Sequence, residues 1–97
     1  MAQIGLSGRA LEDLERLAEF LVEAAPETAI PVMVGIIEAC SALKRHPLLG
    51  RRVEGEKREL VISHGATGYI ALYRFDAALK VVRVLRIRHQ RESGYVD

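Results

Sequence analysis

Ninety-seven residues with a net charge of +1, 49% hydrophobic and 28% charged, supply one core and not two, so residues 1–97 are read as a single domain. That balance excludes a chain disordered by composition and a collagen-like repeat, and charges interrupt every apolar stretch short of the ~20 residues of a membrane span. A lone Cys40 excludes an internal disulfide and a cysteine-built metal cluster, and the N-terminus shows no secretion signal, so a soluble protein of the reducing cytoplasm is expected.

Along the chain, Ile4 and Leu6 alternate within residues 2–7 and read as a short strand, with Ser7 placed to cap a helix. From Gly8, Leu11, Leu14, Leu17, Ala18 and Leu21 recur at helical spacing, with Glu12, Asp13, Arg16, Glu19 and Glu23 opposite, which predicts an amphipathic helix ending near Ala25. A second helix must hold Val32, Met33, Ile36, Ile37, Cys40 and Leu43. Because proline is tolerated only where its missing N–H is an orphan, Thr28 is expected as its N-cap with Pro31 in the first turn. His46-Pro47 should end it.

The remainder reads as strands. Arg58–Ser63 carries Leu60, Val61 and Ile62, a turn is expected over His64–Gly68, and Tyr69–Phe75 alternates. After a turn at Asp76-Ala77-Ala78, Leu79–His89 does not alternate cleanly: Val82 and Val84 share one parity, Val81, Leu85 and Ile87 the other. A bulge near Val84, or burial on both faces in a central strand, would reconcile them. The predicted order is β-α-α-β-β-β, an α+β fold with a helical hairpin packed on a small, mainly antiparallel sheet.

Charge is unevenly distributed. Residues 1–43 hold two bases and seven acids, whereas residues 44–97 hold twelve bases and six acids, a balance of −5 against +6. A basic face that meets an anionic surface is one reading, and neutralisation of the two halves across the fold is the other. Arg83, Arg86, Arg88 and Arg91 crowd the last strand and its exit, with Arg58 and Arg74 on neighbouring segments. These are candidate partner- or target-binding residues, or the charges of a protected sheet edge. His89, Arg91 and Tyr95 could serve phosphodiester chemistry as acid or base, charge stabiliser and positioning group, or form an interaction epitope. No metal site is expected, because His46, His64 and His89 lie far apart in sequence without a partnering carboxylate cluster. Cys40 on the apolar stripe reads as core.

Five segments, in this order over nearly the whole chain, resemble the RelE/ParE superfamily of bacterial type II toxin–antitoxin toxins. They are a strand ending in Ser7 followed by Arg9-Ala10-Leu11-Glu12-Asp13-Leu14, then His46-Pro47-Leu48-Leu49-Gly50-Arg51, Arg58-Glu59-Leu60, Gly68-Tyr69 with Tyr73-Arg74, and Val84-Leu85-Arg86-Ile87-Arg88-His89-Gln90-Arg91. The resemblance implies a small chromosomal or plasmid-stabilisation toxin without a cofactor, held inactive by a ParD- or RelB-like antitoxin. RelE-type members are ribosome-dependent messenger RNA endoribonucleases. In them the strand before Gly-Tyr carries alternate lysines, and an arginine follows Gly-Tyr; the corresponding positions here hold Val61, Ser63 and Ile70. Arg91 and Tyr95 could match the enzyme's remaining arginine and tyrosine. ParE-type members instead bind DNA gyrase without a demonstrated bond-breaking site, and the His89-Gln90-Arg91 exit looks more like that branch. The resemblance therefore favours a gyrase-binding toxin that is not an enzyme. A RelE-like ribonuclease is the alternative, and a non-toxic protein-binding domain a second one.

Overall fold

The computed structural model describes residues 1–64 and 67–96, so the centre of the turn expected over His64–Gly68 lies outside the described residues. The elements are β1 (Gln3–Leu6), α1 (Gly8–Ala24), α2 (Pro26–Ser41), a 3-10 turn (Ala42–Lys44), β2 (Arg51–Glu54), β3 (Lys57–His64), β4 (Thr67–Asp76) and β5 (Val81–His89). The five strands form one sheet in the order β1-β5-β4-β3-β2, parallel between β1 and β5 and antiparallel elsewhere. The helical hairpin lies on one face, α1 over β5 and α2 over β3. This is the α+β arrangement expected from the element order, with β5 placed inside the sheet.

Three local departures have clear causes. Ser7 caps α1 as expected, its Oγ accepting from Ala10 N–H at 3.0 Å, but the buried face is Ala10, Asp13, Leu17 and Leu21, while Leu11 remains 48% exposed. The stripe is rotated because a carboxylate, not a leucine, meets the sheet at the second turn. The second helix begins at Pro26 rather than after Thr28. Pro26 occupies the orphan N–H position, so Pro31 sits inside the helix, where Glu27 loses its usual backbone donor. Thr28 turns its hydroxyl back onto Ala25 C=O at 2.8 Å. A fifth strand, β2, adds to the four that the sequence predicts; it folds back on β3 through a turn in which Gly55 takes φ +54°, a left-handed conformation that costs glycine little.

The mixed parity of the last strand has the expected cause. Leu72 pairs with Arg86 but Tyr73 pairs with Val84, so Leu85 is an extra residue, a bulge that switches β5's inward set from Val82 and Val84 to Ile87. The strand begins at Val81 rather than Leu79, because Asp76 Oδ1 accepts Leu79 N–H at 3.0 Å and Lys80 adopts φ 53° to close the turn.

The core lies between hairpin and sheet, with Val32, Ile36, Leu43, Tyr73, Val82, Val84 and Ile87 all at most 3% exposed. Each such aliphatic side chain contributes roughly 1.5–3 kcal/mol. Cys40 belongs to this core, and burial pushes its thiol up to about 11. The stretch Pro26–Lys44 is 19 residues with a mean hydropathy of 1.3, long and apolar enough by composition to cross a membrane, against the expectation from charge spacing. Part of that apolar surface faces the core through Ala29, Val32, Ile36 and Cys40; part does not, since Ile30, Val34 and Ile37 are 76%, 47% and 57% exposed.

Tyr73 fixes the far end. Its hydroxyl donates to Pro47 C=O and accepts from Gly50 N–H, both at 2.8 Å, and burial raises its phenol above the ordinary value. A Cβ at position 50 would stand 2.7 Å from both Glu59 C=O and the Tyr73 ring, so only glycine fits there.

Candidate functional site

The candidate residues separate into a hub, a tail, a pocket and an open row. The hub is Asp13, at 3% exposure the one buried acid among the described residues. Arg86 grips it with a two-pronged fork, Nε to Oδ2 at 2.9 Å and Nη2 to Oδ1 at 3.1 Å, and the Ile87 N–H donates to Oδ2 at 2.8 Å. The bulge that parks Arg86 here is held from β1's side, where Ser7 Oγ donates to Leu85 C=O at 2.8 Å and Val84 C=O accepts Ser7 N–H. Arg86 is thus committed to the fold, and sequence periodicity missed Asp13 by assigning it to the solvent side of α1. The available signal was its place three residues after Ala10 and four before Leu17, within the buried stripe.

The tail folds back after β5. Glu92 accepts His89 N–H at 2.8 Å and pairs with Arg16 at 3.1 Å, and Arg88 Nη1 donates to Glu92 C=O at 2.6 Å. Arg86 also donates to Val96 C=O. Tyr95 returns across the helix-free face of the sheet: its hydroxyl donates to Glu59 Oε2 at 2.8 Å, and the guanidinium carbons of Arg86 and Arg88 stand 5.5 and 5.3 Å from its ring centre. Burial, reinforced by Glu59, holds the Tyr95 phenol well above its ordinary value, so it stays protonated and cannot act as a base.

His89 points to the other face. It pairs with Tyr69, whose ring it meets edge-on at 5.1 Å, and its Nδ1 accepts Arg91 N–H at 3.1 Å. With Arg91, Arg16 and Glu92 it rims a pocket of about 570 Å³ floored by Leu17, Tyr69 and the 67%-exposed Phe20. His89 and Arg91 therefore share one site while Tyr95 belongs to another, so the three do not converge on one reacting atom.

Arg58 donates to the carbonyls of Gly50 at 2.8 Å and Leu48 at 3.3 Å, which ties down the loop before β2. Arg74 and Arg83 behave differently. They are direct cross-strand partners, and Lys57 pairs with Arg74 on the other side, so three cations form one row across β3, β4 and β5. All three are exposed, and among the described residues none has an ion-pair partner. No group of three His, Cys, Asp or Glu among the described residues is placed to hold a metal ion.

A second cavity, about 320 Å³, opens between β1 and the hairpin and is lined by Ile4, Leu6, Leu14, Ile37, Cys40 and Lys44 among others. It lies beside the unpaired edge of β1 and continues toward the exposed apolar residues of α2.

A sheet of this order carrying a helical hairpin on one face, with an arginine-rich last strand and a folded-back tail, is the architecture of small bacterial toxins that work in toxin–antitoxin pairs. The family model of the ParE toxin of the type II toxin–antitoxin system parDE matches residues 4–94. Toxin RelE3 of Caulobacter vibrioides is 37% identical over 94 residues, covering 95% of this chain and 98% of that protein. Among solved structures, the chromosomal ParDE system of P. aeruginosa superposes with a TM-score of 0.75 at 24% identity, covering 92% of this chain and 96% of that one. The RelBE2 toxin–antitoxin complex of Mycobacterium tuberculosis gives 0.66 at 22% identity, covering 92% and 98%. The chain belongs to the ParE/RelE family of type II toxin–antitoxin toxins.

Proposed function

We propose that this toxin arrests growth from within the cytoplasm by binding DNA gyrase, without breaking bonds itself, and that a ParD- or RelB-like antitoxin neutralises it. The observation that carries the reading is the failure of a catalytic set to assemble. Val61, Ser63 and Ile70 stand where the resemblance puts the ribonuclease's cations, Tyr95 is held by Glu59, and His89 faces the opposite side of the sheet. Stabilising a scissile phosphate needs donors converging within hydrogen-bond reach of it, and these groups do not converge.

The antitoxin reading is supported by solved relatives that are toxin–antitoxin complexes and by apolar surface without a cover. Ile30, Val34 and Ile37 line one side of α2, next to the groove beside β1's open edge. A helix laid along α2, or a strand added to β1, would bury it.

The test incubates the purified toxin with gyrase, ATP and supercoiled plasmid. Protein-linked cleaved DNA should accumulate. Unchanged supercoiling at stoichiometric toxin, together with codon-phased cuts in translated messenger RNA, would replace this reading with the ribonuclease.

A further inference from the structure

We infer that the cross-strand row Lys57–Arg74–Arg83 is a docking surface for the phosphate backbone of duplex DNA, contacted without regard to sequence. Two registers place the side chains: Lys57 opposite Arg74, and Arg74 opposite Arg83. Arg74 lies between the inward Tyr73 and Phe75 and Arg83 between the inward Val82 and Val84, and Lys57 shares Arg74's register, so all three stand on the helix-free face. Like charges directly opposite one another destabilise a sheet, and although Glu54 stands opposite Lys57 at the β2 end of the row, no carboxylate separates Lys57 from Arg74 or Arg74 from Arg83, so their juxtaposition does nothing for the fold. Three other arginines show how such charge can be absorbed: Arg86 has Asp13, Arg16 has Glu92 and Arg51 has Glu59.

The shape of the row selects the ligand. Neighbouring strands are ~4.8 Å apart, so the row is a short, stiff, nearly straight line of cations on a flat surface, matched to a rigid polyanion rather than to a small anion that needs a pocket. At one end β1 contributes Gly5 in register with Arg83, and a Cβ there would meet nothing within 4 Å, so the row runs out to an open margin. Single-stranded nucleic acid is held by aromatic stacking, and the only tyrosine folded across this face, Tyr95, already lies against Arg86 and Arg88. An acidic peptide would need apolar anchors beside the charges, and the tail occupies the adjoining rows through Tyr95 and Glu59. The surface extends the proposed function and rests on it only for its biological setting, since gyrase holds duplex DNA; the contact itself is a property of this chain alone.

The experiment measures binding of the full chain without gyrase, by fluorescence anisotropy of a labelled duplex of arbitrary sequence, as a function of salt. Three phosphate contacts predict a slope of log K against log salt of about −2.7. Arg74→Gln with Arg83→Gln should flatten it to about −0.9, one contact remaining, while Arg83→Lys keeps the wild-type slope. The thermal midpoint of the double variant should not fall. A wild-type slope near zero, a slope unaltered in the double variant, or binding to single-stranded RNA or a polyglutamate peptide in preference to the duplex would each overturn the inference. If the double variant does not fold, the wild-type slope and the Arg83→Lys comparison decide. Failure here leaves gyrase inhibition to its own assay, and failure there leaves this slope to be explained.

Discussion

Arg86 and Arg83 lie three residues apart on one strand, yet they solve opposite problems. Around Arg86 every charge has a partner: Asp13 receives a two-pronged fork and a backbone N–H, and the arginine reaches on to the tail. Around Arg83 the described residues supply no ion-pair partner, and its cross-strand neighbour on β4, Arg74, repeats its sign. A count of arginines cannot tell these uses apart. Their places along β5 do: the bulge at Leu85 sets Arg86 opposite Leu72, beyond the end of β1's pairing at Val84, where its guanidinium reaches Asp13, whereas Arg83 lies between Gly5 and Arg74 without an ion-pair partner among the described residues.

The contrast is broken most forcefully at its buried end. Asp13→Ala strands the Arg86 guanidinium and orphans Ile87 N–H, and should cost about 3–5 kcal/mol, read as a fall in the urea midpoint. Tyr73→Phe removes both hydrogen bonds that pin the Pro47–Gly50 loop and should cost about 1–3 kcal/mol by the same measurement. The core responds to alkali. The Cys40 thiol is raised to about 11 from an ordinary 9.0, so above pH 9 the unfolded state sheds a proton that the folded state keeps, and stability falls as pH climbs to 11. Two pH units correspond to a loss of about 3 kcal/mol, which Cys40→Ala should largely abolish in a pH series of unfolding free energies. Tyr95 adds a loss of the same sign at higher pH. Ser7→Ala removes both the cap on α1 and the tie to the bulge, and should cost about 1 kcal/mol.

The fold was legible wherever one local rule acted alone. Ser7 announced its cap, and the broken alternation at Val82, Val84 and Ile87 announced a bulge in an interior strand. Legibility failed where two rules competed. Two prolines could each begin the second helix, and Pro26 took the position because the first helix ends immediately before it. A four-residue strand of four exposed residues, Arg51–Glu54, has no inward alternation to read. At the site, sequence flagged the arginines but not their fates, because fate is set by pairings 73 residues apart for Asp13 and Arg86 and by cross-strand register for Lys57 and Arg74. His89 and Tyr95 are near neighbours in sequence, yet strand parity and the returning tail put them on opposite faces.

The division between charges that hold the fold and charges that face a ligand is tested most directly by the unfolding free energy of the Arg74→Gln, Arg83→Gln double variant. Relieving repulsion in an unpaired row predicts a value equal to wild type or up to about 0.5 kcal/mol higher. A loss of more than about 2 kcal/mol would contradict it, placing these arginines with Arg86 among the supports of the fold.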